Sequence, residues 1–293
     1  MKKRLIIFSD YGLDDACALV YLLGHADRFD GIDVVCIAGN VPAERSLSNA
    51  HKLLAQADSG QWTVDRKGEG RFSISPTASF SPSTPVRLVS TDDFPQKHVF
   101  LPSIHGKDGM GDLFSASAKT DAIPYAQWFN SLPESAVILS LGPCTVSLDV
   151  IKRFKSVKGA EHVMMAGVVG AEPNYLGMEF NQALDPESLA AQVKFPHKIA
   201  TLDTCRVRQF NLAGEKIRGG SLLCRLVNRA KELKDARHSD NSYVYDLIAA
   251  LYLVEPQIFK ARVAVDPWGN RLSELAIADE KFSLGEYLAE HNY

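Results

Sequence analysis

The run Leu5-Ile6-Ile7-Phe8, followed at once by Ser9-Asp10-Tyr11-Gly12-Leu13-Asp14-Asp15, restricts the architecture more than any other stretch of the chain. Four bulky apolar residues in a row read as a buried strand, and Ala16 to Leu23 then reads as a buried helix. Between them lies a glycine turn that carries three carboxylates. In an open parallel sheet such a corner sits at the carboxyl edge of the strands, where ligands bind. Three anions crowded together repel unless something positive compensates. No lysine or arginine occurs between Arg4 and Arg28, so a bound divalent cation is the simplest compensation. The plain alternative is that Asp14 and Asp15 populate a helix first turn, where the macrodipole favours acids. That accounts for one of the pair and leaves Asp10 unexplained.

The same alternation recurs down the chain. Asp33 to Ala38 is a short apolar run ending in Gly39-Asn40, and Pro42 then opens a helical pattern from Ala43 to Ala57. Further strands are expected at Pro85 to Val89, Ala136 to Leu141, His162 to Ala166 and Lys198 to Leu202. Helices are expected at Thr145 to Phe154, from Asp185-Pro186-Glu187 to Val193, from Leu212 to Ala236, and from Ser242 to Val254. Strand followed by helix, repeatedly, argues for an α/β fold: an open, mostly parallel, Rossmann-like sheet flanked by helices. Val263 and Val265 alternate ahead of a Pro267-Trp268-Gly269-Asn270 turn, which adds a small C-terminal β meander. With 293 residues, no internal repeat and no linker, the chain reads as one domain over 1–293. From Asp58 to Thr84 the pattern dissolves into Gly, Ser, Pro, Thr and charges, which reads as a loop insertion of the kind used as a lid or left disordered.

A net charge of −3 provides no basic surface for phosphate backbones or anionic lipids, so neither nucleic acid nor membrane is an expected partner. The apolar run behind the basic start is too short for a signal-peptide core, and no segment approaches the roughly 18 apolar residues of a membrane span. A cytoplasmic protein is therefore expected. The five cysteines show no CxxC spacing and read as buried free thiols rather than a disulfide or zinc framework.

Two further features carry chemistry. Asp246 lies inside the almost wholly apolar helix from Ser242 to Val254, where a lone buried acid costs several kcal/mol unless it is paired or bound to a metal. His105-Gly106-Lys107-Asp108-Gly109-Met110-Gly111 is a glycine-punctuated loop, and its histidine either contacts a ligand or orders the loop. The other histidines have no partner pattern and read as surface or structural residues.

The chain resembles the nucleoside hydrolases, the inosine-uridine preferring N-ribohydrolase family, whose opening signature has the form D-x-D-P-G-x-D-D-A. Ser9 to Ala16 matches most of it. Gly39-Asn40-Val41, His105 to Gly111, Leu141-Gly142-Pro143, Met178-Glu179-Phe180-Asn181 with Asp185-Pro186, Leu202-Asp203, and Tyr245-Asp246-Leu247 with Glu255-Pro256 follow in family order. The resemblance implies calcium held by Asp10, Asp15, Asp246 and the main-chain carbonyl of Leu141, all hard oxygen donors. It implies that Asp14, Asn40, Glu179 and Asn181 grip the ribose hydroxyls, with Asn174, one residue short of the usual spacing, added to them. The implied reaction is hydrolysis of a ribonucleoside to free base and ribose. The sugar passes through an oxocarbenium-like state, calcium positions the water and lowers its pKa, and Asp10 takes the proton as general base. A small-molecule substrate, a homo-oligomer (dimer or tetramer) and a role in purine or pyrimidine salvage come with the resemblance.

The sequence departs from the family pattern at three positions. Phe8 stands where an acid is usual, Tyr11 where a proline is usual, and Tyr245 where the inosine-uridine group has a histidine. A phenol is protonated at neutral pH and donates a hydrogen bond, but it is a poorer acid than an imidazolium, so Tyr245 is a leaving-group contact of a different kind. Tyr245, Phe80 and Trp62 are candidates for stacking on the base. These departures motivate a competing reading, a non-catalytic nucleoside- or ribose-binding module on the same fold. A third reading, an acid-cluster phosphohydrolase, lacks any phosphate cradle in the sequence.

Overall fold

The computed structural model describes residues 2–58, 84–92, 94–114, 122–153, 161–215, 217–236 and 240–291. Among these residues nine strands form one sheet: β1 (Arg4–Ser9), β2 (Ile32–Cys36), β3 (Val86–Ser90), β4 (Ile123–Pro124), β5 (Ala136–Ser140), β6 (Glu161–Met165), β7 (Lys198–Ala200), β8 (Phe259–Val265) and β9 (Arg271–Ile277). Their order across the sheet is β4-β3-β2-β1-β5-β6-β7-β9-β8, and every pairing is parallel except β8 with β9. The expected α/β architecture is the one found.

The strand order explains where a ligand can enter. From β1 the chain builds outwards through β2, β3 and β4, then returns to the other side of β1 with β5 and continues through β6 and β7. Strand order reverses between β1 and β5, so the loops leaving those two strands diverge and open a crevice at their carboxyl ends. Both faces of the sheet are covered, as a parallel sheet requires. Leu5 and Ile7 enter the larger core beneath the helices Leu13–Leu23 and Tyr245–Val254, whereas Ile6 and Phe8 point to the opposite face. There the Phe8 ring meets the edge of Trp128 at a centroid distance of 6.4 Å. The residue at the family's usual acid position is thus a core residue on the far side of the sheet.

Three expectations on the elements are refined. The helix expected from Leu212 begins at Leu222 and runs to Asp235, because Gly214 and Gly219 adopt positive φ and Ser221 caps the start through Cys224 N–H at 3.2 Å. A helix expected only from Asp185 is preceded by a five-residue one, Phe180–Leu184, capped by Glu179. Finally, the C-terminal strands form a hairpin that joins the main sheet, β9 running parallel to β7 at Ile199 and Glu274. The 58–84 insertion, with Trp62 and Phe80, lies almost wholly outside the described residues. All five cysteines are free and buried. Among the described residues no helix is long and apolar enough to cross a membrane.

Candidate active site

The acid corner stands at the mouth of the crevice. Asp10 follows β1 directly and is fully buried. Its carboxylate is held by one residue from the end of β2: Asn40 N–H donates to Oδ2 at 2.8 Å and Asn40 Nδ2 donates to Oδ1 at 2.9 Å. Gly39 has to be glycine, because a Cβ there would overlap Asp10 Oδ2. Asp15 accepts Ser9 Oγ at 2.7 Å and Gly12 N–H at 2.8 Å, bonds that tie the first turn of the Leu13–Leu23 helix back to β1. The Tyr245–Val254 helix packs against that helix and starts at the same edge, so Asp246 in its first turn meets Asp14 and Asp15. Carboxylate oxygens of Asp14, Asp15 and Asp246 all lie within 4.8 Å of one another.

Electrostatics make this corner unlike the rest of the molecule. Burial, then the neighbouring Asp15, pushes the Asp10 carboxyl well up; burial, then Asp14, Asp15 and Asp10, does the same to Asp246. Asp15 is raised to about 6 by burial and by Asp14, despite bonds from Ser9, Asp10 and Asp246 that favour its charge. Two acids buried elsewhere are paired with arginine. Asp33 is paired with Arg4 at 2.7 Å and Arg87 at 2.5 Å and accepts Trp128 Nε1 at 2.9 Å, while Glu274 is paired with Arg262 at 2.7 Å. Among the described residues no lysine or arginine pairs with Asp10, Asp14, Asp15 or Asp246, and Asp14 Oδ1 is buried without a hydrogen-bond partner. Clustered hard oxygens, mutual repulsion and an orphaned carboxylate oxygen fit a divalent cation of the calcium type.

Glu179 and Asn181 close the other side of the crevice. The Glu179 carboxylate accepts Asn181 N–H at 2.9 Å, Gln182 N–H at 3.0 Å and Gly167 N–H at 3.0 Å; burial nevertheless raises it to about 7. Asn181 Nδ2 donates to the carbonyls of Leu141 at 2.8 Å and Met165 at 2.9 Å. This leaves Asn181 Oδ1 as the amide atom available to the cavity, and it fixes the Leu141 carbonyl after β5. Asn174 precedes the tight turn Tyr175–Met178 and lines the same cavity.

His105 orders its loop and also lines the cavity. Its Nδ1 accepts Leu13 N–H at 3.0 Å, anchoring the glycine loop to the start of the first helix. With Nδ1 accepting, the proton of a neutral ring sits on Nε2, so Asp14 Oδ1 at 3.8 Å from Nδ1 receives no bond from it. The loop depends on positive φ at Gly106, Gly109 and Gly111.

Tyr11 is fully buried at φ 49°, a backbone angle that proline cannot adopt, so the corner is traced differently from one with the family's usual proline. Its hydroxyl has no partner among the described residues. An unsatisfied buried hydroxyl is unfavourable, so Tyr11→Phe is expected to preserve or raise thermal stability, by up to about 1–3 kcal/mol. A marked fall in the melting temperature would show that the hydroxyl is bonded in solution.

Beside this corner lies a cavity of about 680 Å³; Asp10, Tyr11 and Asp15 are buried behind its wall rather than on it. Asp14, Asn40, Leu141, Glu179, Asn181 and Asp246 form one part of its wall. Sequence reasoning missed another part, made by Arg206, Lys234, Asn241 and Tyr243 around Tyr245. The Tyr243 and Tyr245 rings lie 6.2 Å apart, with the Arg206 guanidinium 5.8 Å from the Tyr245 ring and Lys234 5.1 Å from the Tyr243 ring. Arg206 is separated from β7 by the helix Leu202–Cys205, so strand-end position alone did not single it out. Lys234, inside the helical pattern from Leu212 to Ala236, carried no signal either.

A crevice at a sheet reversal, lined by acids and by amides, offers the hydrogen-bond acceptors that a small polyhydroxylated ligand requires. The family model described as Inosine-uridine preferring nucleoside hydrolase matches residues 5–282, and the chain belongs to that family of enzymes acting on N-glycosyl bonds. It is 24% identical over 301 aligned positions to the Non-specific ribonucleoside hydrolase RihC of Salmonella paratyphi B, covering 97% of this chain and 90% of the relative. The fold is similar to that of a Purine-Preferring Ribonucleoside Hydrolase from Gardnerella vaginalis, with TM-score 0.69, 18% identity and coverage of 98% and 96% of the two chains. It is equally similar to a plant nucleoside hydrolase, with TM-score 0.69, 17% identity and coverage of 99% and 97%.

Proposed function

We propose that this protein hydrolyses the N-glycosidic bond of a ribonucleoside, using calcium held by Asp10, Asp15, Asp246 and the Leu141 carbonyl, with Asp10 as general base. The observation that carries this reading is the cluster of Asp14, Asp15 and Asp246 at the sheet reversal, with Asp14 and Asp246 on the cavity wall and no lysine or arginine paired with it among the described residues. A calcium ion bound there supplies charge compensation, a position for the attacking water and a lowered pKa for it.

The chain's own residues supply the rest. Asn40 holds the Asp10 carboxylate with two bonds and leaves a lone pair on each oxygen to accept the water proton. Asp14, the member of that cluster nearest solvent, lines the cavity and accepts from ribose hydroxyls; the side-chain oxygens of Asn40 and Asn181 do the same. Glu179 and Asn174 extend this wall along the sugar. The negative charge of the corner favours the positive charge that develops on the ribose ring as the bond to the base breaks. Tyr245 faces the base. A homo-oligomer, which rests on the family resemblance, and the cytoplasmic setting expected from the sequence belong to the same proposal.

The test is a panel of ribonucleosides and ribose phosphates incubated with calcium and assayed for free ribose and for phosphate. Ribose and free base from at least one nucleoside, with no phosphate release, is the expected result. Phosphate release would move the site to phosphohydrolase chemistry, and tight nucleoside binding without turnover would make it a binding module.

A further inference from the structure

Arg206 follows the short helix Leu202–Cys205 at the carboxyl end of β7 and bridges two segments of the cavity wall. Its Nη1 donates to the Glu172 carbonyl at 2.5 Å and its Nε donates to the Tyr245 hydroxyl oxygen at 3.2 Å. A guanidinium has no acceptor atom, so the direction of the second bond is fixed: the phenol oxygen accepts. Tyr245 is left with one hydroxyl proton to donate, and among the described residues no protein group accepts it. The side chain lines the cavity that Asp14 and Asn181 also line.

We infer that Arg206 is a positioning residue that makes Tyr245 a directed hydrogen-bond donor to the departing base. The inference rests on the hydrolytic reading above. When the bond between C1′ and the base nitrogen breaks, its electron pair goes to the base. The Tyr245 hydroxyl hydrogen-bonds the charge that develops there and keeps its own proton. The water gives its hydroxyl to C1′ and its proton to Asp10, which passes it to solvent, and the base takes a proton from solvent. The net change is one water consumed, one base and one ribose released. The adjacent guanidinium polarises the phenol, strengthening its donation, and holds its oxygen at one place on the wall. A histidine is thus replaced by a tyrosine and arginine acting together.

The test compares kcat and KM for uridine, inosine and adenosine with those for 4-nitrophenyl riboside, whose leaving group is a stable anion and needs no donor. Tyr245→Phe and Arg206→Gln are each expected to lower kcat on the nucleosides by about 10- to 100-fold, the worth of a hydrogen bond to a charged group. Both variants should turn over the nitrophenyl riboside within a few-fold of the parent. The double variant should fall no further than Tyr245→Phe alone, because Arg206 acts through the phenol. Arg206→Lys, which keeps the charge without the planar fork, should retain an intermediate nucleoside rate. Equal losses on both substrate types, or a double variant that multiplies the single losses, would overturn the inference while leaving hydrolysis intact. No turnover of any substrate by the parent protein would remove the hydrolytic reading and this inference with it. Melting temperatures within a few degrees of the parent separate these results from misfolding.

Discussion

Replacing Asp10 by asparagine is expected to lower ribose release by about 10²–10⁴-fold, the usual contribution of a positioned general base, while nucleoside binding changes by much less. Both Asp10 oxygens accept from Asn40, one from its main chain and one from its side chain. A carboxamide at position 10 keeps one oxygen acceptor. The main-chain N–H cannot turn away, so the amide oxygen stays on it and the Asn40 side chain must rotate. That rotation disturbs one sugar contact and predicts a few-fold rise in KM beside the large fall in kcat. Steady-state kinetics with calorimetric binding of the same nucleoside separate the two effects. Retained turnover in Asp10→Asn would place the base elsewhere, and a parent protein with no turnover to lose would be a binding module.

The second large effect is expected at Asp246. Without a cation, Asp246 lies buried among Asp10, Asp14 and Asp15, and burial with their charges raises its carboxyl. Asp246→Asn keeps the shape and removes one charge, so the metal-free variant should be more stable than the parent at neutral pH, by about 1–3 kcal/mol. Calcium should no longer stabilise it. Loss of a metal-bound carboxylate exceeds the roughly 10- to 100-fold cost of removing an outer support, and ribose release should fall with it. The pH dependence follows from the direction of the shifts. Asp15 and Asp246 bind protons more tightly folded than unfolded, so their contribution is fully present below the ordinary carboxylate range and is lost as pH rises, through about 6 for Asp15. The metal-free parent should therefore lose stability between about pH 4 and 7, and calcium should raise its melting temperature more at pH 7.5 than at pH 5. Melts with calcium or a chelator at both pH values read this directly. A metal-free Asp246→Asn melt well below the parent's would contradict the repulsion assigned to this corner.

Much of the architecture could be read before any coordinates, for a local reason. β1 and the helix after it are contiguous in sequence, so the acids between them are tied to a sheet edge by the apolar run alone. Asp246 stood out because an acid in a wholly apolar helix has no inexpensive explanation. The return of the chain to place β5 beside β1, which opens the crevice, is a property of strand order that alternation does not encode. Glu179, Asn181 and Leu141 came from family resemblance, since a five-residue helix capped by a glutamate has neither a periodic pattern nor a common cap. Arg206, Tyr243 and Lys234 were missed because cavity lining depends on how distant elements pack. The helix boundary near Leu222 was misplaced by ten residues because Gly214 and Gly219 take positive φ, which a periodicity reading over Leu212 to Ala236 passes over.

The central claim is that an acid corner, its charge partly compensated by a bound divalent cation, breaks the bond between ribose and base. It is tested most directly by ribose release from a ribonucleoside panel before chelation, after chelation, and after calcium is returned. Release from at least one nucleoside that stops on chelation and recovers with calcium is the predicted result. Blanks across the panel with calcium demonstrably bound, or release indifferent to chelation, would contradict it.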